Sequence, residues 1–535
     1  MRYVFSVFIA LPWLNPFAPG PLPPTVQSLV TLVCVALLLL GFKSLGREAD
    51  FSAAAAGAWI TAALLSCVIG LLQYFGFSDA LSPWVSTTAA GEAFANLRQR
   101  NQFVSLTNIG MAALLWWCVR QRAAGTSRET WLAANGVSWT ANAPATTFAA
   151  LLAIGNAASS SRTGLVQLVM LIALAAWWGG LRRRELRVPL LAAVLAYASA
   201  SALLPLLAGL DHSTTGILAR LHDGGPACAS RLTLWSNVLH LISLKPWLGW
   251  GWGELDFAHF TTLYVGPRFC EILDNAHNLP LHLAVELGVP VALGVCGAGL
   301  WLVWRAKPWQ ERDATRQMAW SVLALIMLHS MLEYPLWYGP FQMAFGLCIA
   351  LLWQRPTFCA PEAAVKSRVG PAGADATSAG SAAAPFTATP ANKSPSNMPV
   401  ALVLCAWIAT IIIVFVAYAA WDYHRVSQIY LPPEDRSPAY RSNTLTQIQG
   451  SWLFQNQVRF AELTTTPLTH DNAPRLNAMA HELLHFSPEA RVAEKVIDSA
   501  RLLGRLDEAR YFEARYRAAF PQEHAKWVAA IAARR

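Results

Sequence analysis

Charge is scarce in this sequence. Asp, Glu, Lys and Arg make up 13% of its 535 residues, against about 25% in a soluble domain. With 55% hydrophobic residues and a mean hydropathy of +0.37, that shortage excludes an ordinary soluble enzyme and leaves a membrane protein. The first apolar run, YVFSVFIALPWL, lacks the basic stretch and small-residue cleavage site of a secretory signal. A second apolar run follows it closely, so a retained helix is expected. Also lacking is a basic stripe interleaved with aromatics. The formal charge of +9 is therefore read as membrane orientation rather than nucleic-acid binding.

What is present is a series of apolar runs near the roughly twenty residues a helix needs to cross the hydrocarbon. They fall at 2–14, 26–42, 52–72, 103–119, 132–157, 164–180, 188–210, 279–304, 317–334, 340–354 and 399–421. The expected fold is an all-α polytopic membrane protein of about 11 transmembrane helices. Three short loops carry clustered arginines and lysines: Arg120, Arg122 and Arg128; Arg182, Arg183, Arg184 and Arg187; Arg305, Lys307, Arg312 and Arg316. With eleven spans these fall on one side, which the positive-inside rule assigns to the cytoplasm. The opposite side receives loop 73–102, the turn SSSRTG, the long loop 211–278, the turn EYPLWYG and the tail.

The expected domains are a transmembrane catalytic domain at 1–355, a disordered linker at 356–398, a last span at 399–421 and an outward tail at 422–535. The linker is Ala/Pro/Ser/Gly-rich and aperiodic. The tail has helical apolar spacing broken at Gly504, in the manner of a tetratricopeptide helix pair. Of nine cysteines, only Cys228 and Cys270 lie in an outward loop. On an oxidising side they could pair, or stand as two separate thiols.

Polar residues gather on the outward side, where a membrane setting makes them expensive. Arg98, Arg100, Asn101 and Gln102 close one loop; Ser160, Ser161 and Arg162 form a turn; Arg220, Arg231 and Lys245 belong to the long loop. DNAHNLPLH at 274–282 follows. A single arginine at a helix end snorkels to headgroups, but several converging on a His-Asn pair look like an anion site. His277 begins a helix beside Asn278. The positive helix end there favours the neutral imidazole needed to accept a proton. Asp274 and His282 read as helix-cap and packing residues, His329 as a helix–helix hydrogen-bonding group, and His240 and His259 as interfacial.

In order along the chain, RQRNQF (98–103), SSSRTGL (159–165), RLTLW with KPWLGWGWG (231–253), NAHNLPLHLAVELG (275–288) and HSMLEYPLWYGPF (329–341) resemble the bacterial O-antigen ligase and polymerase superfamily. More closely they resemble its PglL-type protein O-oligosaccharyltransferases. The last motif and the long tail separate the protein transferases from the lipopolysaccharide ligases. The resemblance implies transfer of a preassembled glycan from undecaprenyl diphosphate to Ser/Thr hydroxyls of a periplasmic, pilin-like protein, at the outer face of the inner membrane. It places the essential His on His277, the loop Gln on Gln102 and the Tyr on Tyr334 or Tyr338. Asn278 is the candidate orienting partner. The donor arginines fall on Arg162 and Arg231, with Arg100 and Arg220 as further candidates. No cofactor, metal or nucleic acid is implied; the outward carboxylates Glu254, Asp256, Glu271 and Asp274 are too scattered for a magnesium site.

Three other readings compete. HELLH at 481–485 has the zincin spacing, two His one turn apart with Glu482 between, but sits in a small helical module. A lipid-linked-sugar transporter would place charges inside its spans, which here are nearly charge-free. An O-antigen ligase or polymerase would use the same chemistry on a different acceptor.

Overall fold

In a computed structural model of the chain, the structure describes residues 2–17, 22–41, 48–124, 143–211, 216–217, 227–353 and 398–534. Among these no strand occurs; the fold is all-α and built for a bilayer. Six helices are long and apolar enough to cross a membrane. They are built on α2 (Pro23–Gly41), α3 (Glu48–Tyr74), α4 (Arg100–Ala124), α7 (Arg184–Leu207), α11 (Val289–Ala306) and α14 (Met398–Ser427). Shorter apolar helices join them: α1 (Arg2–Leu14), α5 (Ala143–Ala158), α6 (Arg162–Trp177) and α13 (Gly339–Trp353). Between α11 and α13 runs α12 (Ala314–Ser330).

The helices differ in what surrounds them. Of the α4 window, 89% is buried inside the protein, against 6% for α11, so α4 is the hub and α11 faces lipid. The hub helix buries Ser105, Thr107 and Asn108 against protein, where hydrogen bonds satisfy them: Ser105 Oγ pairs with His329 Nδ1 at 2.9 Å, and Gln167 donates to Ser105 Oγ at 2.8 Å. That network ties α4 to α6 and α12, the buried-polar adhesive expected between membrane helices. Around α4, the core interleaves Trp13, Trp59, Phe103, Leu106 and Phe341, with Trp13 edge-on to Phe341 at 4.9 Å.

One expectation changes. The run at 279–304 is broken: α10 (Leu279–Leu287) ends at Gly288, whose φ of 90° is left-handed, and α11 starts at Val289 with Pro290 in its first turn. Only the second piece is a membrane-length helix. The first half of the run at 132–157 lies outside the described residues, as do Arg220 and all of the linker except Met398, the first residue of α14.

The long loop folds on itself through α8 (Arg231–Leu244) and α9 (Leu255–Thr261), around Leu234, Val238, Leu241 and Leu273. A Cys228–Cys270 disulfide closes it. The tail forms α15 (Thr444–Ile448), α16 (Gln455–Thr465), α17 (Ala473–Leu484), α18 (Ala490–Leu502), α19 (Leu506–Ala519) and α20 (Pro521–Arg534). Successive amphipathic helices bury Leu476, Leu483, Val492, Val496 and Tyr516 between them, and Gly504 turns the chain in a left-handed conformation. The tail also packs on the loop. Phe260 of α9 joins its core, Phe257 stacks on His485 at 3.7 Å, and Arg515 donates to the Thr261 carbonyl at 2.7 Å.

Candidate active site

His277 is held by the start of α10. Its φ is 50°, and its amide donates to Asn275 Oδ1 at 2.8 Å. Asn278 caps the helix, accepting from the Leu281 amide at 3.1 Å, and its Nδ2 donates to the Met331 carbonyl at 3.1 Å. Asn278 rather than Asp274 is therefore the cap. Its second bond ties α10 to the turn after α12, which carries Glu333, Tyr334 and Tyr338.

Glu333 is where the elements meet. Its side chain is 12% exposed. Oε1 accepts from Arg231 at 2.5 Å and from Asn101 at 3.0 Å, and Oε2 accepts from Gln99 at 3.3 Å. His277 Nε2 stands 3.6 Å from Oε2. Four elements therefore converge on one carboxylate: the turn before α4, the first turn of α4, the start of α8 and the start of α10. A carboxylate so enclosed is tolerable only because a guanidinium and two amides satisfy it.

Asn101 extends the network to α6 by accepting from Ser161 Oγ at 2.6 Å. Ser161 caps α6, and Arg162 is its first residue. Arg231 holds the same place on α8, after the cap Ser230. The two arginines differ in one respect. Arg231 is neutralised by Glu333, whereas Arg162 is exposed and has no partner among the described residues. Arg100 ion-pairs with Glu92 and so is already engaged away from Glu333.

Tyr334 lies flat on His277, with centroids 5.2 Å apart and planes 7° from parallel. Tyr338 stacks in turn on Tyr334 at 6.0 Å. Burial holds both phenols above their ordinary range, so both stay protonated donors. Gln102 is buried, and its amide oxygen has no hydrogen-bond partner among the described residues. Its side chain faces Tyr338.

Thus the structure gathers His277, Arg231, Tyr334, Tyr338 and Gln102, with Arg162 one residue from the network and Arg100 outside it. Sequence reasoning missed Glu333 and Gln99 and gave Asn101 no role. The HELLH residues face three partners: His481 Nε2 lies 2.7 Å from Glu508, Glu482 accepts from Arg459 at 2.5 Å, and His485 Nδ1 lies 2.6 Å from Glu254. His259 is a core histidine, held by Tyr264 and the Phe269 carbonyl. Burial, then Arg268, pushes its pKa down to about 3.

Comparisons with known proteins fall on these same segments. Residues 93–117 match the protein glycosylation ligase family, 147–296 the O-antigen ligase family, and 317–534 the C-terminal region of the virulence factor membrane-bound polymerases. The first match carries Gln99, Asn101 and Gln102; the second Arg162, Arg231 and His277; the third Glu333, Tyr334, Tyr338 and the tail. Taken together, these three matches make the chain similar to PglL-type protein O-oligosaccharyltransferases and O-antigen ligases. It is 27% identical over 124 residues to a general O-oligosaccharyltransferase of Acinetobacter baylyi, a match spanning 23% of this chain and 21% of that relative. No solved structure matches it.

Proposed function

We propose that the chain is a glycosyltransferase that moves a preassembled glycan from undecaprenyl diphosphate to Ser or Thr hydroxyls of a periplasmic protein such as a pilin, at the outer face of the inner membrane. The observation that carries this reading is the meeting of His277 and Arg231 at Glu333, two hydrogen bonds by way of Asn101 from the turn bearing Arg162, which has no partner among the described residues. It joins a base to two cations at one membrane face.

In this reading Arg162 and Arg231 bind the donor diphosphate and stabilise the charge that develops as it leaves. His277 takes the proton from the acceptor hydroxyl. The acceptor oxygen bonds to the anomeric carbon while the carbon–oxygen bond to the diphosphate breaks, and its electron pair departs on the diphosphate. Tyr334 supports the face of the imidazole, and Tyr338 and Gln102 line the polar wall behind it. Direct displacement inverts the anomeric centre; a product that retains the donor's configuration would rule it out. The domains follow the same reading: a catalytic domain at 1–355, a linker at 356–398, a last span at 399–421 and a periplasmic tail at 422–535.

The test is to express the chain with one lipid-linked glycan and a candidate pilin, and to weigh the intact pilin. Wild type adds the glycan mass, and His277→Ala does not. An unmodified pilin alongside restored surface polysaccharide would favour the second reading, an O-antigen ligase, which the match over 147–296 supports.

A further inference from the structure

Glu333 poses a problem for the donor site. Arg231, a residue assigned to the donor, is already bonded to an internal carboxylate at 2.5 Å. A diphosphate approaching the same guanidinium meets a like charge at close range, and two anions sharing one cation in a partly buried site repel. The other end of the carboxylate points at the base, since Oε2 stands 3.6 Å from His277 Nε2. That is too long for a hydrogen bond and short enough to become one with a small side-chain rotation.

We infer that Glu333 is an exchangeable counter-ion: the donor diphosphate takes Arg231 from it, and the released carboxylate closes on His277. The inference rests on the donor reading above. With Arg231 given up, Asn101 and Gln99 still hold the carboxylate, so it turns rather than leaves. Closing on Nε2 fixes the ring proton there and leaves the Nδ1 lone pair to accept the proton of the acceptor hydroxyl. The carboxylate then pairs with the imidazolium as it forms, without taking its proton. The base is thus armed by the arrival of the donor. Glu333 is a positioning residue, acting through Arg231 and His277.

The sign of one measurement separates this role from a structural one. Farnesyl diphosphate serves as a lipid diphosphate probe, with its Kd measured on the purified full chain in detergent. Removing the internal competitor in Glu333→Gln should tighten probe binding by about 3- to 10-fold, on the scale of a partly exposed ion pair. It should also slow glycan transfer by about tenfold or more, because the His loses its orienting anion. Tighter donor binding with slower turnover is the expected split. Weaker or unchanged probe binding in a folded Glu333→Gln overturns the exchange.

Should that variant fail to fold, Glu333→Asp keeps the charge and withdraws it by one methylene. The same split in smaller degree is expected, and unchanged affinity again overturns the proposal. Probe binding needs no acceptor. A wild type that binds the probe but glycosylates no protein therefore refutes the acceptor reading, while the exchange still stands or falls on the affinity ratio. If neither wild type nor variant binds the probe, both the donor reading and the exchange fail.

Discussion

Gly288 and Gly249 form an elbow that can be tested against a built-in control. Both have positive φ, 90° and 68°, and their backbones touch. A Cβ on Gly288 would lie 2.1 Å from the Trp247 carbonyl oxygen, and one on Gly249 would lie 2.3 Å from that of Glu286. The strands of chain cannot separate without breaking Trp250 N–H to Val285 O (2.9 Å), Gly251 N–H to Glu286 O (2.9 Å) and Val289 N–H to Pro246 O (2.8 Å). Gly288→Ala therefore combines left-handed strain of about 1–2 kcal/mol with the loss of hydrogen bonds worth about 1 kcal/mol each. A total near 4 kcal/mol is expected. Gly253 is the control: its φ is 78°, but nothing lies within 4 Å of its Cβ position, so alanine there costs only the strain. In hydrogen exchange read by mass spectrometry, Gly288→Ala should lower protection of the amides at 250, 251 and 289 by about 100-fold or more, and Gly253→Ala by about tenfold. Transfer should fall with the first, because α10 carries His277 and Asn278 at its other end. Equal protection in the two variants would refute the argument that backbone contact holds this elbow.

Four further outcomes are expected. Arg162→Ala should leave the melting temperature unchanged and weaken farnesyl diphosphate binding about tenfold, the worth of a charge-assisted bond. Arg231→Ala should weaken binding and also destabilise the protein by about 3 kcal/mol, since Glu333 then loses its counter-ion; a Kd and a melting curve for each variant decide. Asp256 lies where the long loop meets the tail, and burial raises its pKa to about 7, with Asp274 and Glu254 adding to the rise and the Phe257 amide opposing it. The folded protein holds that proton more tightly than the unfolded chain, so its stabilisation is full below about pH 4 and is lost as pH rises through 7. Asp256→Asn should flatten melting temperature against pH between 5 and 8, and parallel profiles would exclude the effect. Replacing Cys228 and Cys270 together by Ser opens a bridge with a sequence separation of 42 and should cost at most about 4 kcal/mol, read by melting with and without reductant.

Much of the fold was legible because lipid imposes a length and a polarity on every crossing segment. Hydropathy does not say which helix a helix touches, however. Residues 100–122 and 289–310 have similar window hydropathies, 1.4 and 1.5, yet one is the centre of the bundle and the other its lipid-facing rim. Ser105, Thr107 and Asn108 were the readable sign, since three polar side chains in an apolar run need protein partners. The break at Gly288 was only partly readable. Gly288 and Pro290 are boundary residues within a largely apolar run, and contact with the Trp247 carbonyl, forty-one positions earlier, fixes the turn there.

The site divides in the same way. His277, Arg162 and Arg231 stood out as polar residues at the rim of apolar helices, where a charge is costly unless it is used. Glu333 was hidden among the aromatics of HSMLEYPLWYG, where its neighbours suggested packing. Charge accounting could have found it: outward arginines enclosed by apolar helices each require an anion, and few outward carboxylates lie near them. The structure assigns Glu92 to Arg100 and Glu333 to Arg231 and leaves Arg162 exposed with no partner among the described residues. Two arginines therefore hold their places by internal pairing, while under the proposed donor reading the third is the one open to an anion supplied from outside. A ligand carrying two phosphates fits that inventory better than one carrying a single charge, because one phosphate can meet Arg162 without displacing an internal anion while the other competes with Glu333 for Arg231.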